Sequence, residues 1–175
     1  MSEPTPSKPL KLKVSMLGAY AVGKTSLVRR FVLGGFDEKY HATLGVKMDK
    51  KTVTAAGRTA DLTIWDVAGA EEKFTVPSHY IKGSAGYLLV IDGTRADTLD
   101  RALDLVKQID AEVGPLPKAV LLNKSDLKEQ WQLDDAALQK LVPLGCPVMR
   151  TSAKSGEHVE EAFRLLTEQI LAKTT

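Results

Sequence analysis

The stretch Gly18-Ala19-Tyr20-Ala21-Val22-Gly23-Lys24-Thr25 decides the fold of this chain. It follows the apolar run at residues 12–17, and residues 24–33 carry apolar side chains at helical spacing. A glycine-bearing loop between a strand and a helix can turn several backbone N–H groups toward one anion. The pattern G-x-x-x-x-G-K-[ST] in that context predicts a phosphate loop, in which Lys24 reaches the phosphates and the Thr25 hydroxyl binds Mg²⁺. The alternative is a tight turn without a ligand.

Around this loop, short apolar runs alternate with longer amphipathic segments, which is typical of a mostly parallel sheet wrapped by helices. Runs at residues 46–54 and 59–65 flank Ala55-Ala56-Gly57-Arg58 and predict an antiparallel hairpin. The clearest helical periods lie at residues 99–113 and 159–171. Three further runs predict strands buried on both faces, at residues 86–91, 118–122 and 147–151. We therefore expect a three-layer α/β domain with a six-stranded, mostly parallel sheet, one antiparallel edge strand and about five helices.

Length and composition fit one compact domain, since the chain has 175 residues, of which 43% are hydrophobic and 26% charged. We expect a flexible arm at residues 1–9 and a single domain over residues 10–175. The net charge of +2 is too small for a nucleic-acid groove. The one cysteine, Cys146, is expected to be an inert buried thiol. Without a signal peptide, membrane-spanning run or lipidation motif in the sequence, we expect a monomeric cytoplasmic protein with no lipid anchor of its own.

Three further motifs follow predicted strands. Asp66-Val67-Ala68-Gly69 places a carboxylate where it can hold a water on Mg²⁺, although D-x-x-G alone is often a turn. In Asn123-Lys124-Ser125-Asp126, the Asp126 carboxylate can accept two hydrogen bonds from guanine. Adenine would leave that carboxylate unpaired, at a cost of about 1 to 3 kcal/mol or more. The backbone amides of Thr151-Ser152-Ala153-Lys154 are expected to close over the guanine carbonyl.

These motifs, in this order and spacing, resemble those of the Ras superfamily of small GTPases, especially its Rab-type branch, over residues 10–171. The resemblance implies a switch that binds GTP or GDP with Mg²⁺ and signals through segments near residues 36–48 and 66–82. It implies Thr25, Thr43 and Asp66 as metal ligands, and catalytic roles for Lys24, Thr43 and position 70. The implied nucleotide contacts are Gly18, Ala19, Tyr20, Ala21, Val22, Gly23, Lys24, Thr25, Ser26, Phe36, Tyr40, Thr43, Gly69, Asn123, Lys124, Asp126, Leu127, Ser152, Ala153 and Lys154.

The resemblance also implies protein partners, namely an effector, an exchange factor and an activating protein. In the Rab-type branch three aromatic residues form a patch that faces the effector. Met48, Trp65 and Tyr80 occupy the corresponding positions here. A methionine in such a patch can adapt to several partners. The alternative for Trp65 and Tyr80 is packing in the core.

Two positions depart from the family pattern. The second switch usually has a glutamine that orients the attacking water, whereas this chain has Ala70, whose methyl group cannot bond to water. Tyr20 replaces a small residue of the phosphate loop and is expected to crowd the γ-phosphate region. Both changes predict slow hydrolysis, unless a partner supplies the missing groups. One alternative is an essentially nonhydrolysing GTP-bound interaction module. Another is a small-molecule or nucleotide kinase, which would need an arginine-rich lid that the sequence does not show.

Overall fold

The computed structural model of the chain describes residues 8–35, 46–67 and 76–173. The six strands are β1 (Leu10–Gly18), β2 (Val46–Ala55), β3 (Arg58–Val67), β4 (Gly86–Asp92), β5 (Lys118–Asn123) and β6 (Val148–Arg150). The helices are α1 (Lys24–Leu33), α2 (Ser78–Ile81), α3 (Asp97–Val113), α4 (Asp135–Gln139) and α5 (Val159–Lys173), with 3₁₀ turns at Lys128–Gln130 and Val142–Leu144. Among these elements, no helix is long and apolar enough to cross a membrane.

The strands form one sheet in the order β2-β3-β1-β4-β5-β6. Only the β2–β3 pair of this sheet is antiparallel, and the other neighbouring strands run parallel. Ala56 and Gly57, at the tip of the hairpin, have φ angles of 51° and 73°, as a two-residue turn between twisted strands requires. The predicted fold class, with its antiparallel edge strand, is confirmed. Because the parallel strands all point the same way, their carboxyl ends meet at one edge of the sheet.

Two apolar cores cover the two faces of the sheet. On one face α1 and α5 pack together through Phe31 and Phe163, whose rings stack with centroids 4.0 Å apart. On the other face α3 buries a stripe that includes Leu99, Leu105 and Ile109. This stripe has the helical spacing that predicted α3 from the sequence. The central strands are therefore fixed from both sides, which gives their carboxyl ends a rigid base.

The last strand differs from its prediction. The apolar run at residues 147–151 was expected to be buried on both faces, but Val148 and Arg150 of β6 are exposed. The prediction was wrong because β6 is the edge of the sheet and pairs only with β5. Cys146, just before this strand, is half-buried rather than buried, and burial raises the pKa of its thiol. A thiol with a raised pKa is less reactive at neutral pH.

Candidate nucleotide-binding site

The phosphate loop, residues 18–25, runs from the end of β1 into the first turn of α1. The Nζ of Lys24 donates hydrogen bonds to the carbonyls of Gly18 at 3.0 Å and Ala19 at 2.9 Å. The Lys24 side chain is buried, and this desolvation lowers its pKa to about 8. The loop thus encloses a lysine that the protein alone already holds in position.

Two glycines of the loop are required by the space around them. Gly23 has a φ of 104°, and a Cβ there would lie 2.2 Å from Nδ2 of Asn123. A Cβ on Gly18 would lie 2.4 Å from the carbonyl oxygen of Val90 in β4. Both distances are too short for any real carbon contact. The loop backbone therefore lies directly against the ends of β4 and β5, and any side chain at these two positions would push it away.

A hydroxyl and a carboxylate meet beside the loop at what we call the metal end of the site, Thr25 and Asp66. The Thr25 hydroxyl donates to Oδ2 of Asp66 at 2.6 Å. Asp66 is fully buried at the end of β3, and this burial raises its pKa, while the Thr25 hydrogen bond and the charge of Lys24 lower it. Hydroxyl and carboxylate oxygens are the hard ligands that Mg²⁺ prefers. The donor set therefore fits Mg²⁺.

The base end of the site, which we define as Asn123, Lys124, Asp126 and Ser152, is bonded to the phosphate loop. Nδ2 of Asn123 donates to the Val22 carbonyl at 2.9 Å. The Asn123 Oδ1 accepts a bond from the Thr151 hydroxyl at 3.2 Å. Nζ of Lys124 donates to the Ala21 carbonyl at 3.2 Å. The motif after β5 therefore positions the phosphate loop by bonding to its backbone carbonyls.

At the base end, the exposed Asp126 lies beside the buried Ser152. The Ser152 hydroxyl donates to Oδ1 of Asp126 at 2.8 Å, which orients the carboxylate. The Ser152 amide was expected to face the base, but it donates to the Glu157 carbonyl at 3.2 Å. Arg30 of α1 donates from Nε to the Ala153 carbonyl at 2.7 Å, and from Nη2 to the Lys154 carbonyl. Helix α1 thus holds the last loop of the site in place.

The structure brings the predicted residues of the phosphate loop, the metal end and the base end to the carboxyl edge of the sheet. Ser26 lies half-buried in the first turn of α1, and Leu127 lies half-buried after Asp126. Tyr20 is 37% exposed, so its ring is not part of either core. Five predicted residues lie outside the described part of the chain, namely Phe36, Tyr40, Thr43, Gly69 and Ala70.

The three residues of the expected effector patch have different surroundings. Met48 of β2 is 57% exposed and is the cross-strand partner of Trp65. Trp65 is half-buried, with Nζ of Lys13 lying 3.8 Å from its ring centroid. Tyr80 is half-buried and packs against the core on the α3 face of the sheet. Core packing is thus part of the role of Tyr80, while Met48 and Trp65 form an open sheet surface.

Sequence reasoning missed Asp92 and Arg95 at this site. Asp92 ends β4 and is fully buried, and its Oδ2 lies 2.8 Å from Nζ of Lys124 and 3.1 Å from Nε of Arg95. The signal was present, because Asp92 follows a continuous apolar strand in the same way as Asp66 and Asn123. Acidic or amide residues at the carboxyl ends of parallel strands cluster at one edge.

The sheet order, the phosphate loop after β1 and the acidic end of β3 define a P-loop NTPase domain. The family model described as "Ras family" matches residues 13–172, and the chain belongs to the Ras family. It is 32% identical over 163 residues to the Ras-related protein Rab-8B of Homo sapiens and to that of Pongo abelii. Each alignment covers 92% of this chain and 79% of the relative. The resemblance to Rab-type small GTPases is confirmed, and members of this family are GTP-binding switch GTPases.

Proposed function

We propose that this chain binds GTP and GDP with Mg²⁺ at the carboxyl edge of its sheet and acts as a molecular switch. The observation that carries the proposal is one arrangement of bonded groups. Lys24 lies under the phosphate loop, Thr25 is bonded to Asp66, and the base end is bonded to the loop from outside. A guanine nucleotide needs these three groups at one place, for its phosphates, its metal and its base.

At the metal end, Thr25 and Thr43 supply hydroxyl ligands and Asp66 contacts the metal mainly through water. Bound Mg²⁺ neutralises charge on the β- and γ-phosphates. Lys24 adds a second positive charge there. Because burial disfavours this charge in the empty loop, pairing it with a phosphate favours nucleotide binding. The Gly69 amide contacts the γ-phosphate. GTP carries a γ-phosphate that the segments with Thr43 and Gly69 can contact, and GDP does not. This difference is the basis of switching.

At the base end, Asp126 accepts both donors of the guanine edge, and its orientation is already set by Ser152. The aliphatic part of Lys124 and the side chain of Leu127 border the base, and Phe36 packs on it. Because the Ser152 amide bonds to Glu157, the amides of Ala153 and Lys154 are assigned to the guanine carbonyl. The expected consequence is discrimination against adenine.

Hydrolysis by the isolated chain is slow in this proposal. Ala70 offers no group to orient the attacking water, and Tyr20 occupies the surface of the phosphate loop. The reaction then depends on Lys24, the loop amides and Mg²⁺, with an activating protein supplying further groups. A GTP-bound module that does not hydrolyse at all is the second candidate, and the same two residues favour it.

The switch acts through protein partners. An effector binds the surface of Met48, Trp65 and Tyr80, an exchange factor opens the metal end, and an activating protein completes the catalytic groups. The exposed Met48 beside Trp65 supports this assignment, since methionine and tryptophan on an open sheet are typical of contact surfaces. The chain works as a monomer in the cytoplasm.

The first test identifies the nucleotide. Freshly purified protein is denatured, and the released nucleotide is separated by chromatography. We expect the released nucleotide to be GDP or GTP. In binding measurements, the affinity for guanine nucleotides should be at least about a hundredfold above that for ATP, because adenine leaves Asp126 unpaired. Equal affinities for ATP and GTP would contradict the proposal.

The second test measures hydrolysis in single-turnover reactions with the unmutated chain and with Tyr20→Gly, Ala70→Gln and the double variant. A water-positioning group contributes about a hundredfold or more, so the double variant should be clearly faster and each single variant only partly so. Fast hydrolysis by the unmutated chain would show that another residue orients the water. No detectable turnover in the unmutated chain would favour the nonhydrolysing module.

A further inference from the structure

The Asp92 carboxylate lies behind the phosphate loop, buried at the end of β4, with all of its acceptor positions in use. Its Oδ1 accepts bonds from the Thr94 amide at 2.9 Å and the Thr94 hydroxyl at 2.6 Å. Its Oδ2 is shared by Lys124 and Arg95, at 2.8 Å and 3.1 Å. Burial opposes the charge, but the bonds from Lys124 and Thr94 hold the pKa of Asp92 below its usual range. Asp92 is therefore an ionised anchor for two cations.

Each of these cations also holds one carbonyl of the phosphate loop. Nζ of Lys124 lies 3.2 Å from the Ala21 oxygen, and Nη2 of Arg95 lies 2.5 Å from the Tyr20 oxygen. Ala21 has a φ of 60°, a left-handed conformation that costs a non-glycine residue about 1 kcal/mol. Consecutive carbonyls held on the outside of the loop leave the amides of the same peptides facing the phosphate side.

We propose that Asp92 and Arg95 are positioning residues of the nucleotide site, which fix the shape of the phosphate loop and couple it to the base-reading Lys124. The proposal rests on the proposed function only in that a nucleotide fills this site. Asp92 is the central residue of this group, because it positions both cations. Arg95 connects Asp92 to the phosphate loop, because its guanidinium spans the distance from Asp92 to the Tyr20 carbonyl.

The planar guanidinium suits Arg95 to this task. It donates from Nε and Nη2 at the same time in fixed directions, which the single ammonium of a lysine cannot reproduce. The positive charge of Arg95 also acts on Lys24, whose pKa it helps to lower. It therefore adds to the positive field at the phosphates as well as shaping the loop. An ordinary ion pair on the surface would do neither, and would be worth little.

The test measures release of a fluorescent GDP analogue and of a fluorescent GTP analogue from the full chain. Arg95→Ala should release both about tenfold faster, the size of one charge-assisted hydrogen bond lost. Arg95→Lys should recover only part of this difference. The matched control is Arg101→Ala, since Arg101 also forms an ion pair, with Asp97 on α3, at a distance of 3.7 Å. Arg101→Ala should release nucleotide at the unmutated rate.

A spectroscopic readout separates positioning from a loss of stability. The ³¹P resonance of the β-phosphate of bound GDP reports the loop amides, so it should shift in Arg95→Ala and keep its position in Arg101→Ala. Asp92→Asn removes the anchor of both cations and should accelerate release more than Arg95→Ala. Adding Arg95→Ala to Asp92→Asn should change little more, because the two act as a unit. If Asp92→Asn does not fold, the Arg95 series decides alone.

Unchanged release and an unshifted ³¹P signal in Arg95→Ala would overturn the inference, as would full recovery of both by Arg95→Lys. Additive effects of the two substitutions would overturn the shared role of Asp92. These outcomes differ from a failure of the proposed function, in which the unmutated chain itself would bind no guanine nucleotide.

Discussion

The two ends of the nucleotide site are held in different ways. At the base end, Asn123 and Lys124 are bonded to carbonyls of the phosphate loop, and Asp126 is bonded to Ser152. At the metal end, the described groups are Thr25 and Asp66, joined at 2.6 Å. The base end is thus organised by the folded chain, which lowers the entropy cost of binding. In the proposed function, the metal end receives its remaining ligands from the nucleotide, from water and from Thr43.

This difference assigns different jobs to the two ends. A preorganised base end contributes equally to GDP and GTP, since both carry the same base and ribose. A metal end that the ligand completes responds to the γ-phosphate and to Mg²⁺, which is what a switch needs. Substitutions at the base end should therefore change the affinity for both nucleotides together. Substitutions at the metal end should change metal dependence and the ratio between GTP and GDP.

Gly23→Ala should have the largest effect, because Gly23 is where the phosphate loop meets the base end. Its new Cβ would lie 2.2 Å from Nδ2 of Asn123, on a backbone with a φ of 104°. We expect release of GDP to accelerate more than about a hundredfold, with a loss of about 2 to 4 kcal/mol in the free energy of unfolding. Stopped-flow release and urea unfolding measure the two effects.

The control for Gly23→Ala is Gly35→Ala, where a Cβ would meet nothing within 4 Å. That variant should keep the unmutated release rate and stability. If Gly23→Ala released GDP at the same rate as the unmutated chain, the loop could move away from Asn123 without a cost to binding. The base end would then not be preorganised by its bonds to the phosphate loop.

Asp126→Asn should have the second-largest effect on nucleotide affinity, and it should change the specificity for the base. Its amide can no longer accept both donors of guanine, so the affinity for GTP and for GDP should fall by the same factor, about ten to a hundredfold. Xanthine offers the complementary edge, and its nucleotides should gain affinity. Glu129→Gln, a nearby exposed position, is the control with the same change of charge. Equal losses for guanine and xanthine nucleotides would place Asp126 away from the base.

Thr25→Ala tests the metal end. It removes one proposed ligand of Mg²⁺ and the bond to Asp66, while Thr25→Ser keeps a hydroxyl at the same place. We expect Thr25→Ala to weaken GTP binding about tenfold in Mg²⁺, more than it weakens GDP binding, and Thr25→Ser to bind normally. Chelation of the metal by EDTA should accelerate release from the unmutated chain and change little in Thr25→Ala. An unchanged EDTA response would remove Thr25 from the metal site.

The sequence predicted the fold, and it predicted which motifs lie together at the carboxyl ends of the strands, because the signals are local. Periodicity placed the strands and helices, and the motifs stand directly after strands whose carboxyl ends meet. The exposure of β6 was missed because an apolar run does not show whether another strand pairs beyond it. The bond from the Ser152 amide to Glu157 was missed because it depends on how the last loop folds back. Arg95 was missed because one of its partners is the Tyr20 carbonyl, a backbone group that leaves no trace in side-chain patterns, and the other is Asp92, which was itself missed.

The smallest effect concerns protons, and it arises at Lys24, between the two ends. Burial lowers the pKa of Lys24 to about 8 in the nucleotide-free protein. The lysine is therefore charged well below pH 8 and increasingly neutral above it. Phosphates bind the charged form and raise its pKa, so binding above pH 8 requires proton uptake. Affinity for GDP should be constant below about pH 7 and fall about fourfold by pH 8.5.

Calorimetry at pH 8.5, in two buffers with different heats of ionisation, measures this uptake directly. For the unmutated chain the uptake should be about three-quarters of a proton per GDP bound, and the contribution of Lys24 should vanish near pH 6.5, where Lys24 is already charged. Lys24→Arg is the control, since arginine stays charged throughout this range and has no proton to gain. Uptake that persists in Lys24→Arg would assign the proton to another group. No uptake in the unmutated chain would mean that Lys24 keeps its charge in the empty loop. Burial would then not disfavour the charged lysine, and pairing with phosphate would gain nothing from it.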